Sequence, residues 1–353
     1  MRVLWKKKVY VGSYTGPEKG KGIYYCLLDT ETGALRRISV EEQCENPNFI
    51  AVNWKKKILC ALNESDKGIW LSSYEIQDDG FLCYLDQKDI SGRGPCHICM
   101  DSDARRVFFA NYISGDVGMV LLDETGHFEE EEYITSHSGK SVHARQTEPH
   151  PHGVHLSPDE NYLFVPDLGT DEVVMYVIEK DQLRKRMSKK VLPGDGPRHL
   201  VFHPNGKWVY LICEITNVVY VYLYSEENGL EEIQRISLLS KDMKNEYIAG
   251  EIAVTSNGKY LLAGTRTWGA AKEEQGFLTI FEIDKNGLLV LKKVVKSGGC
   301  HPRMFSITSD GSYVLMANQY SGDVISFRFS QETGEIKKSD KCAIPEATCV
   351  WCE

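Results

Sequence analysis

The sequence has no run approaching the ~18 uninterrupted apolar residues that a membrane-spanning helix needs. It has no basic excess either: 41 Lys and Arg stand against 50 Asp and Glu, a formal net charge of −9. That balance argues against a general nucleic-acid binder and disfavours stable docking on anionic membrane. There is no Pro- or Ser-rich linker and no long amphipathic helical pattern. None of the six tryptophans is followed by Asp, so the WD signature of one large repeat class is missing. The apolar stretch at the N-terminus is too short for a signal-peptide core, and Lys6 to Lys8 follow it instead of preceding it. A cytoplasmic protein is expected. The acidity does not exclude an anionic small substrate, because a few arginines in one cleft override the global sign locally.

What is present is ordinary globular material, 42% apolar and 26% charged. The cysteines number eleven, an odd count. Several, among them Cys26, Cys60 and Cys213, sit inside apolar strand-like runs. Scattered core thiols are expected, not a disulfide framework.

The chain of 353 residues is organised by an internal repeat. Short apolar runs ending in a small or polar residue recur at Val9–Tyr14, Ile58–Glu64, Val107–Tyr112, Tyr162–Leu168, Trp208–Glu214, Tyr260–Arg266 and Tyr313–Gln319. All but the first follow another short apolar run, beginning at Pro47, Pro95, Pro151, Pro197, Ala249 and Pro302. The distance from each of these starts to the end of the next run is 17 residues in all six cases. Halfway, at offset 9, stand Lys56, Ala104, Glu160, Gly206, Gly258 and Gly311, in turn-like stretches such as Asn205-Gly206 and Asp310-Gly311. Each unit therefore opens with a β-hairpin. Two further strands follow in most units, separated by turns such as Thr125-Gly126, Asn228-Gly229 and Asn286-Gly287.

Four antiparallel strands repeated at intervals of 48, 56, 46, 52 and 53 residues predict an all-β, seven-bladed β-propeller. The ends complete the count. The run from Pro345 has no hairpin partner after it, and Val9–Tyr14 has no opening run before it. The C-terminal strand is therefore expected to join the N-terminal three as a mixed blade that closes the ring and removes free sheet edges. Residues 1–353 are expected to form a single domain of about 50 residues per blade.

In a hairpin centred on offset 9, offsets 1 and 17 are expected to lie opposite each other at the open end. Rotational repetition brings these positions to one face near the central channel. Offset 1 supplies Asn48, Cys96, His152, Arg198, Gly250 and Arg303; offset 17 supplies Glu64, Tyr112, Leu168, Glu214, Arg266 and Gln319. Three arginines, two glutamates and a histidine in one place suit an anionic ligand and acid–base chemistry. The alternative is that the same residues lock blades together as ion pairs in a polar channel.

Five of the ten histidines fall between His137 and His155, in the longest interval between repeats, with Arg145 and Gln146. Long loops often carry function. No second cluster with ligand spacing accompanies them, so no metal is expected. Cys96-x-x-Cys99 and Cys349-x-x-Cys352 match zinc half-sites only on paper: both lie in predicted strands, where positions three apart face opposite ways. The basic run Leu183–Lys190 and the acidic run Glu129–Glu132 are expected at the surface.

At these loci the sequence resembles the lactonase family of seven-bladed β-propellers, which includes the propeller type of 6-phosphogluconolactonase and the fungal carboxy-muconate cyclase. The matching segments run through Val11-Gly12-Ser13-Tyr14-Thr15, Asn46-Pro47-Asn48-Phe49, Ala61-Leu62-Asn63-Glu64 and Gly94-Pro95-Cys96-His97-Ile98. They continue through Arg145-Gln146, His150-Pro151-His152-Gly153-Val154 and Gly194-Asp195-Gly196-Pro197-Arg198-His199, with Glu214 after it, and end in His301-Pro302-Arg303-Met304-Phe305 and Ala317-Asn318-Gln319. The resemblance implies a catalytic set of His152, Arg198, Glu214 and Arg266. The sequence before Arg266 is Gly264-Thr265 where the family often has Ser-Asn, and the stretch after it, Thr267 to Gly276, is charged and longer than a tight turn.

The activity implied is hydrolysis of a sugar lactone, with 6-phosphogluconolactone the best single substrate and no cofactor. Glu214 or His152 would take a proton from water, and Arg198 and Arg266 would stabilise the oxyanion or hold the substrate's negative group. Glu64, His150, Arg303 and Gln319 would bind and orient it. Two other readings share this sequence: a carboxy-muconate cyclase-like lactonizing enzyme, and a non-catalytic propeller scaffold, which the resemblance does not separate by fold alone.

Overall fold

A computed structural model describes residues 6–180, 182–239, 247–267 and 274–353. These fold into seven four-stranded antiparallel sheets, with no helix among the described residues. The all-β class and the seven four-stranded blades expected from the repeat are both present. Blade 1 contains Ala347–Cys352, Lys6–Ser13, Ile23–Asp29 and Leu35–Glu41, in that spatial order. It is the expected mixed blade: Val9 pairs with Cys352 on one side and Cys26 on the other. Both edges of the N-terminal strand are thus hydrogen-bonded.

The other blades follow the chain, each strand pairing with the next. Blade 2 begins at Pro47–Asn53, blade 3 at Pro95–Met100, blade 4 at His155–Leu156, blade 5 at Pro197–Phe202, blade 6 at Tyr247–Val254 and blade 7 at Pro302–Ile307. By packing, the chain divides into two compact units. One comprises Met1–Asn48, Asp78–Phe81 and Leu238–Glu353, with blades 1, 6 and 7. The other comprises Phe49–Gln77 and Leu82–Ser237, with blades 3 to 5 and most of blade 2.

The second strand of each blade carries a buried apolar run because both of its faces are covered. In Tyr162–Asp167 of blade 4 every residue is buried. Alternate side chains go opposite ways. Leu163 and Val165 join Phe108, Ala110, Val117 and Met119 of blade 3, whereas Phe164 joins Val209, Leu211 and Tyr220 of blade 5. The same holds in the first unit, where Leu315 and Ala317 pack with Val9, Val11 and Tyr24 of blade 1, and Val314 and Met316 with Leu262 and Ile280 of blade 6. The fourth strands face water. The basic run is the outer strand Leu183–Lys190, and the acidic run lies in the outer strand Phe128–Ser136. All eleven cysteines are free thiols.

Two expectations about the hairpins need correction. The turn of blade 2 is one residue later than expected: the left-handed residue is Lys57 and not Lys56, whereas Ala104, Glu160, Gly206, Gly258 and Gly311 are left-handed at the expected centre. Offsets 1 and 17 are also not direct partners. In blade 5 the register runs from Phe202↔Val209 to His199↔Ile212 and then slips to Pro197↔Cys213. Arg198 is the extra residue of a β-bulge, and Glu214 lies just beyond the strand end. The slip recurs at Cys96 in blade 3 and Arg303 in blade 7, and at Thr348 in the mixed blade. Blade 4 goes further: its first strand is only His155–Leu156, with an isolated bridge between Pro151 and Asp167. A bulge bends the strand and re-aims its side chain, so the offset-1 residues are turned out of the ladder.

Candidate active site

In the second unit the bulge at Arg198 delivers its guanidinium to Glu214. Glu214 is anchored by its backbone N–H, which donates to Gly196 O at 2.7 Å. Its carboxylate is almost completely enclosed, with 1% of the side chain exposed. Oε2 accepts from Arg198 Nε at 2.9 Å, and Oε1 accepts from Arg145 Nη2 at 2.6 Å. His152 Nε2 stands 3.7 Å from Oε2. Both oxygens are thus taken by charge-assisted hydrogen bonds. The two guanidiniums supply countercharge to the buried carboxylate.

His152 is placed by its backbone N–H, which donates to Pro166 O at 2.9 Å, while Leu168 N donates to His150 O at 2.9 Å. His150 Nδ1 donates to the carbonyl O of Tyr112 at 2.7 Å, which sets its tautomer, since a carbonyl only accepts. The Tyr112 ring stacks on His150, with centroids 4.2 Å apart and an interplanar angle of 5°, and meets His152 edge-on at 5.4 Å. The Tyr112 hydroxyl accepts from Arg145 Nη2 at 3.4 Å. Burial raises the pKa of that hydroxyl, against the pull of Arg145.

Arg198 Nη1 lies 3.2 Å from Nδ1 and 3.3 Å from Nε2 of His199. His199 belongs to a buried ring cluster with His97, His155 and Phe49. His97 Nδ1 accepts from Val154 N, and His155 Nε2 accepts from Leu200 N, both at 3.3 Å. Burial, with His199, His155 and Arg198 nearby, drives the His97 pKa well below 6.5. Among the described residues no group of three or more His, Cys, Asp or Glu is arranged to hold a metal ion. His137, from the same histidine-rich segment, is occupied by Asp167, Nδ1 to Oδ2 at 2.6 Å. Glu64 is the next-to-last residue of the second strand of blade 2, Ile58–Ser65, where burial raises its pKa against a hydrogen bond from the Gly94 backbone.

The other unit holds the remaining candidates. Arg303, at the blade 7 bulge, places its guanidinium carbon 5.6 Å from the Tyr14 ring centroid. Its Nη1 donates to Gln319 Oε1 at 3.5 Å, and Gln319 Nε2 donates to Glu346 Oε2 at 2.9 Å. Arg266 is buried in Tyr260–Thr267. Gly250 lies beside it: a Cβ there would sit 3.5 Å from Arg266 Nη1, in ordinary van der Waals contact. Of the charged stretch after Arg266, residues 268–273 lie outside the described residues.

The structure therefore brings His152, Arg198 and Glu214 together, with His150 beside them through Tyr112. It pairs Arg303 with Gln319. Sequence reasoning gave Arg145 no role, because it occupies no repeat position. The signal that pointed to it was its place in the longest interval between repeats.

Similarity to known proteins shows the family. The family model described as "Lactonase, 7-bladed beta-propeller" matches residues 8–352. A 6-phosphogluconolactonase of Bacillus subtilis (strain 168) is 30% identical over 347 residues, 97% of each chain. One of Formosa agariphila is 31% identical over 340 residues, 94% of each chain. Among solved structures, a candidate 6-phosphogluconolactonase of Bacteroides fragilis superposes with a TM-score of 0.88 at 29% identity, covering 99% of this chain and 98% of its own. The periplasmic gluconolactonase of Pseudomonas aeruginosa does so with 0.88 at 25% identity, covering 99% of both. With seven four-stranded blades and a family match over nearly its whole length, the chain belongs to the lactonase family of seven-bladed β-propellers.

Proposed function

We propose that this lactonase hydrolyses 6-phosphogluconolactone to 6-phosphogluconate, the lactone step of the pentose phosphate pathway, as a single-domain cytoplasmic enzyme without a cofactor. The named relatives supply the substrate. The observation that carries the chemistry is the Glu214 carboxylate clamped by Arg198 and Arg145 with the His152 imidazole 3.7 Å away.

Of the two candidate bases, this geometry favours His152. Glu214 has both oxygens engaged and acts as the anion that steadies an imidazolium. An imidazole beside a carboxylate suits general base work near neutral pH. His152 Nε2 takes a proton from water as the water oxygen attacks the lactone carbonyl carbon. Arg198 stabilises the negative charge that develops on the carbonyl oxygen. The ring C–O bond then breaks, and the leaving alkoxide takes the proton back from His152. Glu64 and His150 bind and orient the sugar. Loss of one oxyanion donor typically costs about 10²–10³ in rate.

The test is acid release from freshly made 6-phosphogluconolactone, measured against the spontaneous rate. Wild type should exceed it by orders of magnitude, with kcat/KM falling as pH drops through the imidazole range. His152→Asn should lose most of the rate and that pH limb together. A wild-type rate no faster than the uncatalysed one refutes the activity. An unchanged pH limb in the variant refutes the assignment of the base.

A further inference from the structure

We infer that Cys342 and Cys26 form a peroxide-sensitive thiol pair: Cys342 reacts with a hydroperoxide, and Cys26 resolves the product into a disulfide that clasps blade 7 to the mixed blade. The pair uses none of the residues proposed for lactone hydrolysis.

Three observations carry it. First, the fold sets these two thiols against each other although nearly the whole chain lies between them. Tyr24, Cys26 and Leu28 share one face of strand Ile23–Asp29 in the mixed blade, and that face packs with Leu315, Ala317 and Val324 of blade 7. Cys342 lies opposite Val324 on the outer strand Ile336–Ala343 of blade 7 and packs against the same cluster. The Cys26 thiol is within hydrogen-bond reach of the Cys342 sulfur. Second, the two differ in access. Cys26 is fully buried, whereas Cys342 is half-buried between exposed Lys341 and Ala343. A small oxidant reaches Cys342 first.

Third, the surroundings favour a thiolate at Cys342. The hydrogen bond from Cys26, then the backbone N–H and the guanidinium of Arg37, lower its pKa against burial and the Asp340 carboxylate. That guanidinium is held over the Tyr24 ring, its carbon 5.8 Å from the centroid, and Asp340 Oδ2 accepts from Leu35 N at 2.8 Å. The same hydrogen bond, with burial, raises the pKa of Cys26, so the proton stays there. Burial instead pushes the Cys60 and Cys352 thiols up to about 12. The thiolate is the reactive form, and oxidation-prone cysteines combine it with partial exposure and a second cysteine alongside.

The Cys342 thiolate attacks one peroxide oxygen, the O–O bond breaks, and Cys342 becomes a sulfenic acid as hydroxide leaves and takes up a proton. Cys26 Sγ then attacks that sulfur. The S–S bond forms, the S–O bond breaks, and the departing hydroxide takes the Cys26 proton to become water. With hydrogen peroxide, two thiols lose two electrons and two protons, and the peroxide is reduced to two waters.

The experiment treats the reduced full-length protein with a few equivalents of hydrogen peroxide and maps it by mass spectrometry without reductant. A peptide joining Cys26 to Cys342 should appear before the exposed Cys83 is modified, and should vanish with dithiothreitol. In Cys26→Ala, dimedone should label Cys342; in Cys342→Ala, Cys26 should take no label. Calorimetry reads the clasp. Oxidised wild type should melt about 3–6 °C above the same sample after dithiothreitol, the range for a typical disulfide in a chain of this size. Dithiothreitol does not reverse methionine oxidation, so the comparison isolates the cross-link. Oxidation of Cys83 while Cys26 and Cys342 remain thiols overturns the inference, as does a Cys342 that proceeds to sulfinic acid unlinked. An oxidised protein that melts no higher than its reduced form refutes the clasp. If neither variant folds, the wild-type peptide map decides alone.

Discussion

The Glu214 clamp makes a quantitative prediction about stability that is separate from catalysis. Glu214→Gln keeps the shape of the side chain but replaces one acceptor oxygen with an NH₂ that faces a guanidinium. It also removes the countercharge of both arginines. Breaking a buried ion pair from one side typically costs about 3–5 kcal/mol. The Arg145 limb is partly exposed and screened, so the lower end, about 3 kcal/mol, is the expectation, most of it from Arg198. Unfolding entropy near 2.1 cal/mol/K per residue, over 353 residues, gives about 0.7 kcal/mol/K. The melting temperature should therefore fall by about 4 °C if the chain melts as one, and by about twice that if only Phe49–Gln77 and Leu82–Ser237 melt together. Differential scanning calorimetry at neutral pH measures this, with the exposed Glu231→Gln on the outer strand of the same blade as the control. The control should move the transition by less than about 1 °C. If Glu214→Gln melts with the control and the wild type, the carboxylate is not carrying the two arginines and the reasoning fails.

Two other perturbations test parts of the fold that frame the site. His97 is held neutral by burial, with a pKa well below the ordinary 6.5. The unfolded chain therefore takes its proton first as pH falls. The stabilising contribution is complete above pH 6.5 and is lost as pH drops towards the folded-state value, at up to about 1.4 kcal/mol per pH unit. In His97→Asn, stability measured by urea unfolding should decline less steeply than wild type between about pH 6.5 and 5; parallel declines would sink this account. Gly118 faces the buried Phe109 ring across the strand pair, and an added Cβ would meet ring atoms well inside contact distance. Gly118→Ala should destabilise by about 1–3 kcal/mol. The cost should shrink in the background of Phe109→Leu, because the clash is with that ring; strict additivity in the double-mutant cycle would argue otherwise.

Much of this was legible in the residues because the relevant physics is local or periodic. Two-sided burial puts a short apolar run in the second strand of each blade, as in Tyr162–Asp167, which ends in a polar residue. Tight turns need left-handed residues, so Asn205-Gly206 and Asp310-Gly311 announce the hairpins. The bulge was not legible. Counting outward from the turn puts Arg198 opposite Glu214, and nothing in the sequence marks the extra residue that shifts the ladder at Pro197. The two side chains still meet, through Arg198 Nε and Glu214 Oε2, because the bulge turns Arg198 out of the ladder at the point where Glu214 leaves its strand.

By itself, then, the sequence determined the number of blades, the four-strand repeat, and the joining of the two chain ends in one sheet. Each of these follows from hydrophobic alternation and turn chemistry along neighbouring residues. It also put His152, Arg198 and Glu214 among the candidates. The tertiary structure alone decided how their side chains meet. Arg145 reaches Glu214 from 69 residues away, carried by a segment that has no repeat position and is held by buried Gln146. That contact occupies the second oxygen of Glu214. Periodicity cannot encode it, because hydrogen bonds between distant segments depend on where the packed blades set their ends and not on spacing along the chain.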